Sequence, residues 1–464
     1  MLKKIFIILA GIASLVLIFL LWALRPVDFT PYFKTIYYQT TMERLDSIHH
    51  QLNTVGGKLE VGFGKKTITP QLGMEKDNQD AGAFAEVPLA GYGERKGAAA
   101  TGVHDSLFVK TIAVRVSGQT LIFIGTDLLI LPPEVSARVD SMVYQKTGLD
   151  RNSIFYSATH THSSIGAWSD GLVGELFGGD YNPDLVNWMA GQLTAAIVDA
   201  LENLQPGSLG IGNFQAGGFT NNRLVGKHGQ VNGNFPFLVF KQSAGRKAVL
   251  GAFSAHATTI SADNMELSGD YPGYWQRKLE RNGFDLAVFI AGSVGSHGYQ
   301  SRGESFEKPA YLGEALADSV LVYADRVELK DSIAISAMTL QINYPDFQVR
   351  LTDQLRINSW IAGQLFPAVG DVYLQTLRLD SLIWTTTPCD FSGETAMTYQ
   401  SQMQNKGFSS MISSFNGAYT GYVLPCKYYH LNKYESRLMN WFGPGYNPFI
   451  NYLVGEMMEM VAED

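Results

Sequence analysis

Cysteine is nearly missing from this chain: Cys389 and Cys426 are the two in 464 residues, so they either pair as a single disulfide or remain buried thiols. No lysine- and arginine-rich block occurs and the formal net charge is −8, which argues against a nucleic-acid partner, since neutralising phosphates takes a basic face. No Pro/Ser-rich or charged low-complexity stretch interrupts the body, and no internal repeat is evident, so one large domain is expected rather than modules on linkers. Long uncharged apolar runs are lacking too, with one exception. Ile5 to Leu24 carries no charge and would span about 30 Å as a helix, the thickness of a bilayer core.

Lys3 and Lys4 precede this run and only Arg25 follows closely, a charge bias that holds the N-terminus in the cytoplasm and exports the body to the periplasmic or extracellular side. A cleaved signal peptide is the competing reading. Its apolar core is shorter and ends in small residues, whereas this run ends Leu21-Trp22-Ala23-Leu24-Arg25-Pro26, which favours an uncleaved signal-anchor over residues 1–28. Residues 29–56 follow as a helical stalk or first helix, with Leu45, Ile48 and Leu52 at helical spacing.

What the chain has is core. Hydrophobic residues make up 46% and aromatics 12%, ample for one large domain over residues 57–464. Alternating segments predict a hairpin at 108–127 and strands at 236–241, 247–255, 285–291, 332–344, 372–387 and 408–413. Helices are predicted at 132–147, 182–204, 271–282, 307–326 and 447–462, and the Gly- and Asn-rich stretch 207–233 reads as an irregular active-site loop. The fold class expected is α/β, with mixed, largely parallel sheets flanked by helices and one N-terminal transmembrane helix in front.

The tetrad Thr159-His160-Thr161-His162 closes the apolar run Ser153 to Ala158. Two imidazoles two residues apart on extended backbone face the same way, and imidazole is both the commonest zinc ligand and the commonest general base. His256 again follows an apolar strand, and Asp390, in Thr387-Pro388-Cys389-Asp390, follows a third. In α/β folds the carboxyl ends of strands converge on sites, and two histidines with a carboxylate suit zinc, although the donors do not compel it. Asp127 and Asp270 read as ligands to backbone in turns, His104 and Asp105 read either as residues reaching the site or as loop residues, and His49, His50, His228 and His430 carry no partner signal.

These residues sit in strings that resemble the neutral/alkaline, non-lysosomal ceramidases, zinc amidases that cleave the acyl amide of N-acylsphingosines. The strings are Gly91-Tyr92-Gly93, Gly102-Val103-His104-Asp105, Ser157 to Ser163, Asn416 to Val423, and Tyr434-Glu435. The resemblance implies a Zn2+ held by His160, His256, Asp390 (where the family has Glu) and Tyr422, with His162, Arg223 and Tyr434 lining the reaction centre. It implies amide hydrolysis of ceramide or a related lipid-like N-acyl substrate by metal-activated water, His162 passing the proton or serving as a further ligand. Another amide, an ester, or a non-catalytic lipid-binding relative are the alternatives. One departure bears on this: where the family carries a catalytic serine, the stretch Ser293 to Gln300 has Gly298, and Ser296 next to His297 lacks the spacing of a nucleophile elbow. The chain also has no length after Asp464 for the family's small C-terminal β-domain, so membrane proximity is expected from the N-terminal span. Oligomeric state stays open.

Overall fold

The computed structural model describes residues 2–464 and centres on one twelve-stranded sheet. In chain order its strands are β1 (Val55–Thr67), β2 (Phe108–Val116), β3 (Gln119–Thr126), β4 (Ile154–Ala158), β5 (Gln205–Gln215), β6 (Asn234–Gln242), β7 (Lys247–Phe253), β8 (Leu286–Ala291), β9 (Ser332–Ile342), β10 (Val372–Leu379), β11 (Leu382–Thr386) and β12 (Ser409–Ser413). The main helices are α1 (Leu2–Ala23), α2 (Ile36–His49), α3 (Pro133–Thr147), α4 (Pro183–Glu202), α5 (Asp270–Arg281), α6 (Glu307–Ala324), α7 (Gly393–Asn405) and α8 (Tyr446–Glu463).

Long β1 is the hub. Its Leu59–Thr67 stretch pairs with β2 along one edge, while the other edge pairs with β9 and then β5. From there the sheet runs β5-β6-β7-β8 one way, β9-β10-β11-β12 another, and β2-β3-β4 a third. Strand residues alternate between two apolar environments, as the two-residue repeat of a pleated strand requires. Phe123, Phe155, Phe240 and Trp384 meet in a central cluster between strand faces. Their neighbours turn outward: Ile122, Ile124 and Tyr156 lie under α3 and α4, Phe237 and Phe253 under α5 and α6, and Leu374 and Ile383 under α7 and α8.

The sheet is mixed and flanked by helices, as the α/β reading holds, but it is not largely parallel. Eight of its strand pairs are antiparallel and three are parallel. The reason is loop length. Neighbours joined by tight turns, such as β2–β3 through Ser117-Gly118 and β10–β11 through Asp380-Ser381, can only run antiparallel, and parallel pairing needs a long crossover. Three crossovers supply it: β3-α3-β4, β7-α5-β8 and β11-α7-β12.

Two further expectations change. Stretch 372–387 is a hairpin, not one strand, turning at Asp380 with φ +54°. The irregular loop expected from Gly207 starts instead as part of β5, which pairs with β6 over nine residues. Gly212 is there because the Phe237 ring occupies the place of its side chain, where a Cβ would lie 2.3 Å away. Helix α2 has Leu45 fully buried and Ile48 partly so, Leu52 lies partly buried just past its end, and the helix packs on the body through Tyr37 and Tyr38 against Phe449 and Tyr452. The two cysteines are unpaired, Cys389 in the core and Cys426 exposed.

Candidate active site

The three parallel pairs share one property: the chain leaves the carboxyl end of each into the same place. After β4, Thr159 N and His160 N still donate to Thr126 O and Leu128 O, and then His160 turns into the left-handed region with φ +64°. The same-face argument from extended backbone therefore does not explain how the two imidazoles meet. A bend at His160 does, setting the rings of His160 and His162 edge to face with their Nε2 atoms 3.4 Å apart. Such a conformation costs of order 1–3 kcal/mol in a non-glycine residue and is characteristic of functional sites.

His256 follows β7, and its Nδ1 donates to the carbonyls of Val294 and His297, 3.0 and 3.1 Å away. His160 Nδ1 donates to Leu129 O at 2.7 Å. With both Nδ1 atoms carrying protons, both Nε2 atoms present lone pairs, the arrangement found in metal-ligating histidines. They face Asp390, which follows β11. Asp390 Oδ1 is 3.5 Å from His160 Nε2 and 3.3 Å from His256 Nε2. Tyr419 donates to Oδ2 at 2.7 Å, whereas Oδ1 is buried without a hydrogen-bond donor. Tyr422 donates its hydroxyl to His256 Nε2 at 2.9 Å.

The His160 lone pair and the carboxylate oxygen without a donor repel at this separation unless a metal ion or a proton lies between them, while the His256 lone pair already takes the Tyr422 hydroxyl. Donors about 2.1 Å from a tetrahedral zinc stand about 3.4 Å from each other, the spacing seen. The donor atoms of His160, His162 and His256 all lie within 4.8 Å of one another, so this buried cluster is able to hold a metal ion. Burial holds His160 down at about 3 and keeps His162 and His256 well below the usual imidazole range, so all three are neutral and ligand-competent at pH 7. Burial raises the Asp390 carboxyl to about 7.

A cavity of about 740 Å³ opens over this cluster, walled largely by aromatic and aliphatic side chains, among them Tyr92, Trp168, Phe177, Tyr419 and Trp441. Arg223, Tyr422 and Tyr434 line it with His160, His162 and His256. Arg223 is aimed by an ion pair from its Nε to Glu435 Oε1 at 2.6 Å, and Tyr434 is 38% exposed at the cavity edge. All seven side chains expected at the reaction centre thus converge on one cavity or its floor.

Other residues fall elsewhere. Asp270 accepts from Thr259 N, Ile260 N and Tyr271 N, and Asp127 from Phe108 N and Gln276, so both serve backbone and packing as expected. His104 stacks on Phe306, and Asp105 binds Ser268, Gly269 N and Arg277. Ser296 is fully buried, its hydroxyl turned to His297 Nδ1 and Ser392, while His297 Nε2 accepts from Asn232 N. It is a structural pair. Gly298 does reach the cavity, beside Asn221 and Arg223. Tyr419 and Glu435 orient Asp390 and Arg223, and neither stood out as a site residue. Tyr419 lay within the Asn416 to Val423 string, among aromatics whose spacing gives no sign of what each one faces.

Residues 71–292 match the family model for the N-terminal part of neutral/alkaline non-lysosomal ceramidases. A curated relative, the neutral ceramidase of Pseudomonas aeruginosa, is 26% identical over 254 residues, covering 51% of this chain and 36% of that protein. The matched segment therefore spans little more than a third of the relative's length. The crystal structure of neutral ceramidase from P. aeruginosa superposes with a TM-score of 0.72 over 88% of this chain and 75% of that one, at 19% identity. A second solved structure, a ceramidase complexed with C2, gives 0.71 over the same shares at 18% identity. The family model thus runs from Gln71 through the His160 tetrad and His256 to the end of β8, just under half of this chain, and the solved ceramidases share its fold beyond that segment.

Proposed function

We propose that this protein is a zinc-dependent amidohydrolase that cleaves the N-acyl amide of ceramide or a related lipid-like substrate, tethered by α1 with its body on the exported side of a membrane. The observation that supports this most is the meeting of His160, His256 and Asp390 at 3.3–3.5 Å beneath a largely apolar cavity. Those three and Tyr422 would hold the ion, and imidazole donors favour zinc over harder cations. Once bound, such an ion supplies a Lewis acid for the amide carbonyl and makes water a nucleophile at neutral pH.

The chain's own residues do the rest. His162, neutral and within reach of the donor cluster, accepts the proton of the attacking water and returns it to the departing amine. Arg223, fixed by Glu435, and the Tyr434 hydroxyl donate to the carbonyl oxygen as charge builds on it, and one such donor is commonly worth about 3 kcal/mol. The apolar walls take the hydrocarbon and keep bulk water from the reacting bond.

Gly298 favours a second reading in which the bond is another amide or an ester, since it presents no hydroxyl to the cavity beside Arg223. Fatty-acid release from N-acylsphingosines in mixed micelles, by the parent chain and by His160→Ala, separates these. The amidase reading expects metal-dependent release that falls at least about a thousand-fold in the variant. Turnover of esters alone supports the second reading, and none on any lipid or peptide amide or ester sinks both.

A further inference from the structure

The apolar N-terminal helix does not hang from the body on a flexible tether. Lys3–Ala23 is apolar enough to cross a bilayer and is exposed from Lys3 to Trp22, Ala23 being the first residue buried against the body, and the strand Leu24–Pro26 begins at the next residue. That strand pairs antiparallel with Leu355–Ile357. Asn358 N donates to Ala23 O at 2.8 Å, Asn358 Nδ2 to Trp22 O at 3.0 Å, and Val27 N to Gln354 O at 2.9 Å. The last turn of the span is thereby part of the fold, which leaves little freedom in how the body stands relative to the span.

The segment it is sewn to forms the rim of the cavity. Asn358 caps the short helix Ser359–Leu365, whose Trp360 packs on Trp22 at 5.8 Å and is 63% exposed. The next residues, Pro367 and Ala368, line the cavity. Against the end of that helix lies Gly171, opening the short helix Leu172–Gly178. Its Val173 and Phe177 face into the cavity, while Leu172 and Leu176, 63% and 43% exposed, do not line it. The helix Leu172–Gly178 thus shows apolar residues on two sides, Val173 and Phe177 to the cavity and Leu172 and Leu176 to solvent, and the helix Ser359–Leu365 packed at its foot exposes Trp360 against the end of the span. Water is a poor solvent for that outer face, and a tryptophan at the end of an apolar span belongs at the level of lipid headgroups.

We infer that the rim residues Leu172, Leu176 and Trp360 seat in the interfacial layer of the bilayer that holds α1, so that the cavity mouth rests on the membrane and receives a lipid-like substrate directly from it. This deepens the amidohydrolase reading and rests on it for the substrate, but the docking itself can be read without turnover. The full chain carrying Cys426→Ser, which removes the exposed thiol, is given a single environment-sensitive fluorophore at position 12, 172, 360 or 322 and reconstituted into phosphatidylcholine–phosphatidylglycerol vesicles. Lipids bearing a quencher near the top of the acyl chain, for the rim positions and 322, or near its methyl end, for position 12 at the middle of the span, are then added. The inference expects strong quenching at 12, 172 and 360 and little at 322, an exposed position on α6. Quenching at 12 with 172 and 360 as unquenched as 322 overturns it while leaving the anchor intact. No quenching at 12 removes the anchor and the inference together, and none of these outcomes bears on whether the cluster hydrolyses amides.

Discussion

Tyr419 donates its hydroxyl to Oδ2 of Asp390 at 2.7 Å, and this one hydrogen bond decides which carboxylate oxygen is left for the imidazoles. Oδ1, the free one, points between His160 and His256. Removing the hydroxyl leaves a buried carboxylate able to rotate in a space it no longer fills. Partners of this kind typically cost 10- to 100-fold in metal affinity when lost. Tyr419→Phe is therefore expected to fold normally and to bind Zn2+ about 10- to 100-fold more weakly, measured by competition with a fluorescent chelator. Unchanged affinity would mean that Asp390 is held by packing alone.

Gly91 bears on His162 rather than on the ligand pair. Its φ is +124°, a conformation open to glycine, and a Cβ there would lie 2.7 Å from both Cα and Cβ of His162. Gly91→Ala must push His162 aside while His160, His256 and Asp390 stay in place. A displacement of about 1 Å at a proton-transferring group costs of order 100-fold. Turnover should fall by about that factor with zinc content unchanged, and full activity in the variant would remove His162 from proton transfer.

Glu134, in the first turn of α3, is a carboxyl with one oxygen buried and unpartnered. Burial pushes it up to about 7, with Asp170 nearby adding to the rise. Between about 4.5 and 7 the folded chain holds a proton that the unfolded chain has released, so this group's contribution is whole below about pH 4.5 and lost as pH climbs through 7. Glu134→Gln abolishes that loss. At pH 8 the variant should be more stable than the parent by about 1–2 kcal/mol, the full shift being discounted for partial exposure, and the two should match at pH 4.5. A difference of equal size at both pH values would show that the effect is not protonation.

How much of this was legible in the sequence follows from which contacts are local. His160, His256 and Asp390 each end an apolar strand, and a strand end is visible in a string of letters. Tyr419's role is not, because it depends on which of several neighbouring aromatics turns toward Asp390 across 29 residues. The helices α3, α4, α6 and α8 follow the sequence reading closely, since their periodicity and Pro or Gly punctuation are local. Pair direction is not local at all. β1 takes partners from β2, β5 and β9, and no stretch of β1 announces three. β5 is masked by Gly207, Gly210 and Gly212, which weaken strand propensity and are there because other side chains fill their places.

The central claim is that His160, His256 and Asp390 surround one ion, and the amount of metal carried by the purified protein tests it most directly. Elemental analysis of the full chain, purified without chelators, should give about one zinc per chain, and His256→Ala and Asp390→Ala should carry less than about a tenth of that while keeping the parent's circular dichroism. A folded parent that carries no divalent metal and takes up none on dialysis against Zn2+, or a His256→Ala variant that retains the full complement, would contradict the account.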